Sequence, residues 1–491
     1  MLPVFTKEIA IRCDYSAINK FNIPSIVLME NAARSCADTI RQYMNSINFD
    51  GHIYVFCGTG NNGGDGLALA RHLAKADNLT ICQYGYEDSM TQDTLTNYIA
   101  AKSLGLNITE VNCDFEMPTI NSNDMVVEAL VGLGGDHQIR GQVEEVLECL
   151  NDIMCHKIAI DIPAGLNADT GQSFKFAFKA DVTITMFATK VGMLMENGRI
   201  FCGKIVRADM GIPYFVADNH KRHIELEQRD LLQFVKPRKL DSSKFDYAKV
   251  LIIAGSSDMS GAGALAANAA IKAGAGLVYL FTEKQHQALL PEVICFERTL
   301  DVNEDLITEI LDVAKKCDTV LMGPGLSRKQ QKLDLVSSIY HSLKYEKAIV
   351  LDADALYAVP YGEYTDRTVL TPHAGEFCKI FGVENEELFL RKFVIASAKK
   401  METMAHIVLK GATTLILGNE HRYINTIGNS GMATAGAGDV LAGIIASYLF
   451  NSINLPYCSA MAVLHHSIAG NKAKEKMGES ALTASEIIAN L

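Results

Sequence analysis

Short apolar runs alternate with helical stretches along nearly the whole chain: "IYVFC" (Ile53–Cys57), "DMVVEALVG", "KIAIDIP", "DVTITMFA", "KVLIIAGS", "TVLMGPG", "AIVLDADA" and "HIVLKGA". A strand that is continuously apolar, rather than alternating, is buried on both faces, and the helices between such strands cover them. The pattern predicts an α/β protein with mostly parallel sheets. Several runs stop at Gly, Asp or Pro. In open α/β sheets ligands sit outside the carboxyl ends of strands, so these ends are where function is sought.

With 491 residues, the chain is long enough for two or more domains. The region 216–245 is dense in charge, with one proline and no strand-like run. It is read as the boundary between a domain at 1–220 and a different domain at 224–491, each with its own glycine-rich site. A net charge of −12 argues against a nucleic-acid or anionic-membrane partner. The first twenty residues lack the apolar block of a signal peptide. "SGAGALAANAAIKAGAGLVYLF", from Ser260, is interrupted by Asn268 and Lys272 and reads as glycine turn, helix and strand rather than a membrane span. The twelve cysteines show no CxxC pair and read as reduced, mostly buried thiols. A cytoplasmic protein is expected.

In the first half, "GTGNNGGDG" (Gly58–Gly66) places five glycines and one carboxylate between a strand and the helical "LALARHLAKA". A tight turn explains one or two glycines. Five suggest backbone N–H groups open to a ligand, near a helix N-terminus. No Lys-Ser/Thr follows, so this is not a Walker A loop. Three other strand ends carry Glu128, Asp161 and Lys190. If the ends converge, Asn62, Glu128, Asp161 and Lys190 share one pocket, where carboxylate and ammonium divide acid/base work. The alternative makes Asp161 a turn cap and Lys190 a solvated surface charge.

In the second half, "GNSGMATAGAGDVLAGIIAS" puts Gly436, Gly438 and Asp439 just before an apolar helix. Glycine N–H groups there form an anion hole, and a carboxylate beside it can take a proton from a hydroxyl being phosphorylated. The alternative makes Asp439 a helix N-cap. "VLKGATT" ends a strand in Lys-Gly and two hydroxyls, suited to phosphate and ribose. "LDADAL" places Asp352 and Asp354 at a strand end, and "LTPHAGE" offers His373 and Glu376.

These residues carry two resemblances. "MENAARS", "GNNGGDGLALARHL", "DIPAGLNADTG" and "TITMFATKVG" resemble the NAD(P)H-hydrate epimerase family over roughly 8–215. That implies a Rossmann-like fold and interconversion of the C6-hydroxyl epimers of hydrated NADH and NADPH. Substrate contacts would fall on Asn61, Asn62, Gly63, Gly64, Asp65, Gly132, Leu133, Gly134, Gly135, Asp136, His137, Gln138 and Asp161, with Asp161 and Lys190 catalytic. The family's potassium site would fall on Asn62, Glu128 and Ala164, where the family usually has Asp at 128 and Ser at 164.

From Lys244 onward, "PEV", "GPGL", "DADAL", "LTPHAGE", "LKGATT" and "GNSGMATAGAGDVLAG" resemble the NAD(P)H-hydrate dehydratase family, whose fold is ribokinase-like. By this resemblance the nucleotide, ADP or ATP with Mg²⁺, lies on Lys410, Gly411, Ala412, Thr413, Thr414 and Gly438. The hydrate would contact Ala262, Gly325, His373 and Asp439. Ala435 and Ala437 stand where that family usually has Gly and Ser. Together the halves resemble the fused cofactor-repair family, for which a homo-oligomer, tetramer or larger, is expected. Two other classes fit the same motifs: a ribokinase-type small-molecule kinase with a Rossmann-like accessory domain, and a chain whose first half only senses a ligand.

Overall fold

The apolar runs become strands of parallel sheets, as their two-sided hydrophobicity requires. The computed structural model describes residues 1–491 apart from 75–77, 112–116, 135–138, 140, 174, 214–215, 217–222 and 452–453. The chain forms two compact units, Pro3–Lys221 and Arg222–Leu491, the second also including Met1–Leu2.

In the first unit seven strands lie in the order Ile108–Val111, Leu79–Tyr84, Ile53–Cys57, Met125–Ala129, His156–Ile160, Val182–Met186 and Lys204–Ala208, all parallel. The order reverses between Ile53–Cys57 and Met125–Ala129, which creates a crevice at their carboxyl ends. Gly58 and the loop from Leu130 flank it. Separately, Val4 and Phe5 pair in parallel with Thr189 and Lys190, which draws Lys190 inward.

The glycine run is less of a free turn than its sequence suggests. The helix begins at Asn61, not after Gly66, with Gly60 as an uncapped N-cap. A Cβ on Gly63 would stand 1.9 Å from the Gly58 carbonyl oxygen, and one on Gly66 would stand 2.7 Å from the Ala129 Cβ. On Gly64 it would meet the Thr94 hydroxyl at 2.7 Å, whereas at Gly60 nothing lies within 4 Å. Much of the bare backbone therefore lets the helix lie hard against the strand ends. Gly63→Ala is expected to destabilise this unit by about 1–3 kcal/mol, seen as a lowered melting temperature.

In the second unit the sheet runs Ile294–Glu297, Leu277–Thr282, Lys249–Ile253, Thr319–Met322, Ala348–Leu351, Thr368–Leu370, His406–Leu409, Thr414–Leu417, Arg422–Asn425, His223–Glu225. Only Thr414–Leu417 is antiparallel to its neighbours. The region read as strand-free thus contributes the strand His223–Glu225 and the helix Gln228–Phe234. Three residues are too few to show periodicity, and pairing with Arg422–Asn425 supplies the strand. Here the order reverses between Lys249–Ile253 and Thr319–Met322. Their ends are tied by Gly255 N–H donating to the Pro324 carbonyl at 2.8 Å and Ser256 N–H to that of Gly325 at 2.6 Å. Behind the sheet, Ser260–Lys272 packs closely on Ala437–Tyr448: a Cβ on Gly443 would stand 2.1 Å from the Ala266 carbonyl oxygen. Among the described residues no helix is long and apolar enough to cross a membrane.

Candidate active sites

In the first unit, Asp161 ends the strand His156–Ile160 with φ +68°. A non-glycine residue in that conformation is uncommon, and such positions cluster at functional sites. Its Oδ1 accepts from the Lys190 ammonium at 2.5 Å. Lys190 is 1% exposed, and it also donates to the Thr185 hydroxyl at 2.8 Å and the Met186 carbonyl at 3.2 Å. The surface-charge alternative for Lys190 is thereby excluded. With three acceptors, the ammonium is fixed where it holds Asp161 in place.

Across the crevice, Asn62 is 7% exposed, and neither its amide oxygen nor its amide nitrogen has a partner. A buried unsatisfied amide costs free energy unless a ligand completes it. A Cβ on Gly132 would sit 3.1 Å from the Asn62 Cβ and 3.4 Å from Asp161 Oδ2, so Gly132 lies between the two side chains. Asn61 accepts from the Thr91 hydroxyl at 2.7 Å. Leu133 is half-buried and Gly134 is exposed. Gly135, Asp136, His137 and Gln138 lie outside the described residues. Burial, then the charges of Asp161 and Asp14, holds the Asp65 carboxyl well above the usual range. Nothing in the sequence marks Asp14, an exposed residue, yet crowding by protein atoms and the Asp161 charge raise its carboxyl. Only the fold brings it to this cluster.

Glu128 is fully buried. Its Oε1 accepts the Leu130 N–H at 2.7 Å and its Oε2 the Ala164 N–H at 3.0 Å. Burial raises it to about 7 against these bonds. The Ala164 carbonyl accepts the Phe178 N–H at 2.9 Å. As hard oxygens, the three expected potassium donors fit a large monovalent ion in kind. Asn62 alone is uncommitted; Glu128 and Ala164 can offer only second lone pairs.

In the second unit, Gly436 takes φ +86° and starts the helix Ala437–Tyr448 without any side-chain cap. Asp439 therefore lies inside the first turn and does not cap it. Its carboxyl is raised to about 7, first by burial and then by the Asp352 charge, with Lys410 pulling it down. The Lys410 ammonium lies 3.4 Å from where a Cβ on Gly438 would stand, and it donates to Asp352 Oδ1 at 2.9 Å. Burial works against that charge, but Asp352, Glu376 and Asp439 outweigh it and hold Lys410 above the usual lysine range.

The segment after Lys410 differs from expectation. Thr413 is fully buried, its carbonyl taken by Lys392 at 2.6 Å. The Thr414 hydroxyl turns back to the Gly411 carbonyl at 3.1 Å. Gly411 and Ala412 are exposed, so the segment presents backbone and the Lys410 ammonium rather than two hydroxyls. Ala262 and Gly325 adjoin, with 2.8 Å between the Ala262 Cβ and a Cβ built on Gly325. His373 caps the helix Ala374–Phe381, its Nδ1 accepting from Gly375 and Glu376 N–H, and its backbone bridges to Lys410.

One unit thus sets a carboxylate–ammonium pair at a glycine-lined crevice. The other sets a carboxylate beside a helix N-terminus and a lysine. Together they define an α/β enzyme with two candidate active sites, one suited to acid/base chemistry and one to phosphate.

The profile described as NAD(P)H-hydrate dehydratase matches residues 250–491, and that described as YjeF-related protein N-terminus matches 25–192. A bifunctional NAD(P)H-hydrate repair enzyme of Moorella thermoacetica is 33% identical over 496 residues, covering 97% of this chain and 93% of that protein. One of Thermofilum pendens is 34% identical over 489 residues, covering 96% and 92%. Among solved structures, the ADP/ATP-dependent NAD(P)H-hydrate dehydratase of Bacillus subtilis, co-crystallised with ATP/Mg²⁺, is 25% identical, with TM-score 0.47, covering 54% of this chain and 95% of that one. The chain belongs to the family of bifunctional NAD(P)H-hydrate repair enzymes.

Proposed function

We propose that this chain restores hydrated NADH and NADPH in two steps. Residues 1–220 interconvert the R and S hydrates, and residues 224–491 dehydrate the S form at the expense of ADP or ATP. In the second step Asp439 accepts the proton of the C6 hydroxyl as that oxygen takes a phosphoryl group, and phosphate then leaves with its C–O bond to regenerate the dihydronicotinamide. Mg²⁺ arrives with the nucleotide as part of the substrate and neutralises its phosphates. Lys410, Gly411, Ala412 and Gly438 receive the nucleotide, and Ala262, Gly325 and His373 border the hydrate. The observation that carries this reading is the Asp439 carboxylate in the first turn of an uncapped helix, with the Lys410 ammonium beside Gly438.

The test mixes both hydrate epimers with ADP/Mg²⁺ or ATP/Mg²⁺ and follows NADH absorbance and released phosphate. Full recovery of NADH from the mixture is expected, with ADP the preferred donor. A stable phosphorylated product without NADH would instead mark a small-molecule kinase. Residues 1–220 and 224–491, made separately, should each melt cooperatively and keep one activity, because each unit contains its own core. A cytoplasmic homo-oligomer, tetramer or larger, is the expected state, to be checked by light scattering.

In the first unit, Asn62 would hold potassium through its free amide oxygen, with Glu128 supplying the charge and the Ala164 carbonyl a further ligand. Because Glu128 and Ala164 already accept backbone N–H groups, binding is expected to be weaker than with Asp and Ser there. Glu128→Asp with Ala164→Ser should tighten it and Glu128→Gln nearly abolish it, in potassium titrations of the epimerisation rate. Indifference to potassium in every variant would leave Asn62 as a substrate residue only.

A further inference from the structure

Asp352 closes the strand Ala348–Leu351 and occupies the N-cap position of the short helix Ala353–Tyr357, yet its carboxylate makes no cap bond. It is 1% exposed. Its Oδ1 instead accepts from the Thr371 hydroxyl at 2.6 Å and from the Lys410 ammonium at 2.9 Å. Asp354, two residues on, is spent on local structure: it takes the Ser327 N–H at 2.8 Å and Arg328 Nε at 3.0 Å. A buried carboxylate is costly unless its charge is used, and the charge of Asp352 is used on Lys410.

That lysine lies between two carboxylates. On one side is Asp352, steadied by Thr371. On the other is the helix turn of Gly438 and Asp439, close enough that the Lys410 ammonium is 3.4 Å from a Cβ built on Gly438. If the ammonium closed onto Asp439, it would occupy the carboxylate that must meet the substrate hydroxyl. We propose that Asp352 is a positioning residue of the phosphoryl step: it anchors the Lys410 ammonium beside Gly438 and keeps it from pairing with Asp439. This rests on the dehydratase reading above.

The electrostatics agree in direction. After burial, the Asp352 charge does most to raise Asp439, Asp354 adds to it, and Lys410 opposes both. Glu376 and His466 also face Lys410. Removing the Asp352 charge takes away an upward push and frees Lys410 to pair with Asp439. Both changes lower the proton affinity of Asp439.

The test follows Asp439 ionisation by infrared difference titration of the nucleotide-free full chain, with Asp439→Asn as the assignment control. In Asp352→Asn the midpoint should fall by about one pH unit or more, while Asp352→Glu, which keeps the charge, should hold it near the wild-type position. An unmoved midpoint in Asp352→Asn overturns the proposal. Should that variant not fold, Asp352→Ser, which also removes the charge, carries the same expectation, and no shift there overturns the proposal equally. In turnover, the acid limb of dehydration should move with the midpoint, and kcat should fall more than KM for ADP rises. A merely structural Asp352 would lower activity at every pH without moving the limb. If the wild type made no NADH at all, the dehydratase reading would fail, while the titration would still decide whether Asp352 keeps Lys410 off Asp439.

Discussion

Asp439→Asn is expected to lower NAD(P)H-hydrate dehydration by roughly 10²–10⁴-fold, the usual contribution of a positioned general base, while nucleotide still binds. The substitution keeps the size of the side chain and removes its charge and its ability to accept a proton. The helix should be unaffected, because Asp439 makes no cap bond and Gly436 alone starts the turn. Nucleotide binding should survive because Lys410 and the backbone at Gly438 remain. The wild-type pH profile carries a second expectation. A base raised to about 7 is active when deprotonated, so kcat/KM should fall as pH drops through that value and level off above it. Steady-state rates from pH 5.5 to 9, with calorimetric titration of ADP, check both. Near-full turnover in the variant would leave Asp439 a structural residue and remove the base from the mechanism.

The second large effect is expected at the other site. Asp161→Asn should abolish epimerisation and leave dehydration of the S hydrate intact. Asp161 is held in a left-handed backbone conformation, φ +68°, with the Lys190 ammonium 2.5 Å away. Asn tolerates that backbone nearly as well as Asp, so the variant should fold. What it loses is the carboxylate proposed for acid/base work at this site, and the charge that balances a buried lysine. Epimerisation can be read from NADH recovery out of pure R hydrate, and dehydration from pure S hydrate, in the same preparation. Equal loss of both would show that Asp161 supports the fold rather than the chemistry of one site.

The sequence by itself determined the α/β architecture and the strand-end positions of Glu128, Asp161, Asp352 and Lys410. Continuous apolar runs can be buried only in a two-sided sheet, and the polar residue that stops such a run marks the strand's end. It also marked the glycine turn before Asp439, because a left-handed residue at Gly436 leaves a local signature. It misplaced the start of the helix at Asn61, since the glycines at 63, 64 and 66 look like a loop until the strand ends they pack against are known. It missed the strand His223–Glu225, which exists only because Arg422–Asn425 lies beside it. It read the hydroxyls of Thr413 and Thr414 as ligand-facing, although the fold buries one residue and turns the other's hydroxyl inward. Tertiary structure alone decided that Lys190 is buried rather than solvated, that Asp14 joins Asp65 and Asp161, and that Lys410 pairs with Asp352 rather than Asp439. The physical reason is shared. Local sequence encodes periodicity and backbone preference, whereas charge pairing and burial depend on which distant strand ends the sheet order brings together.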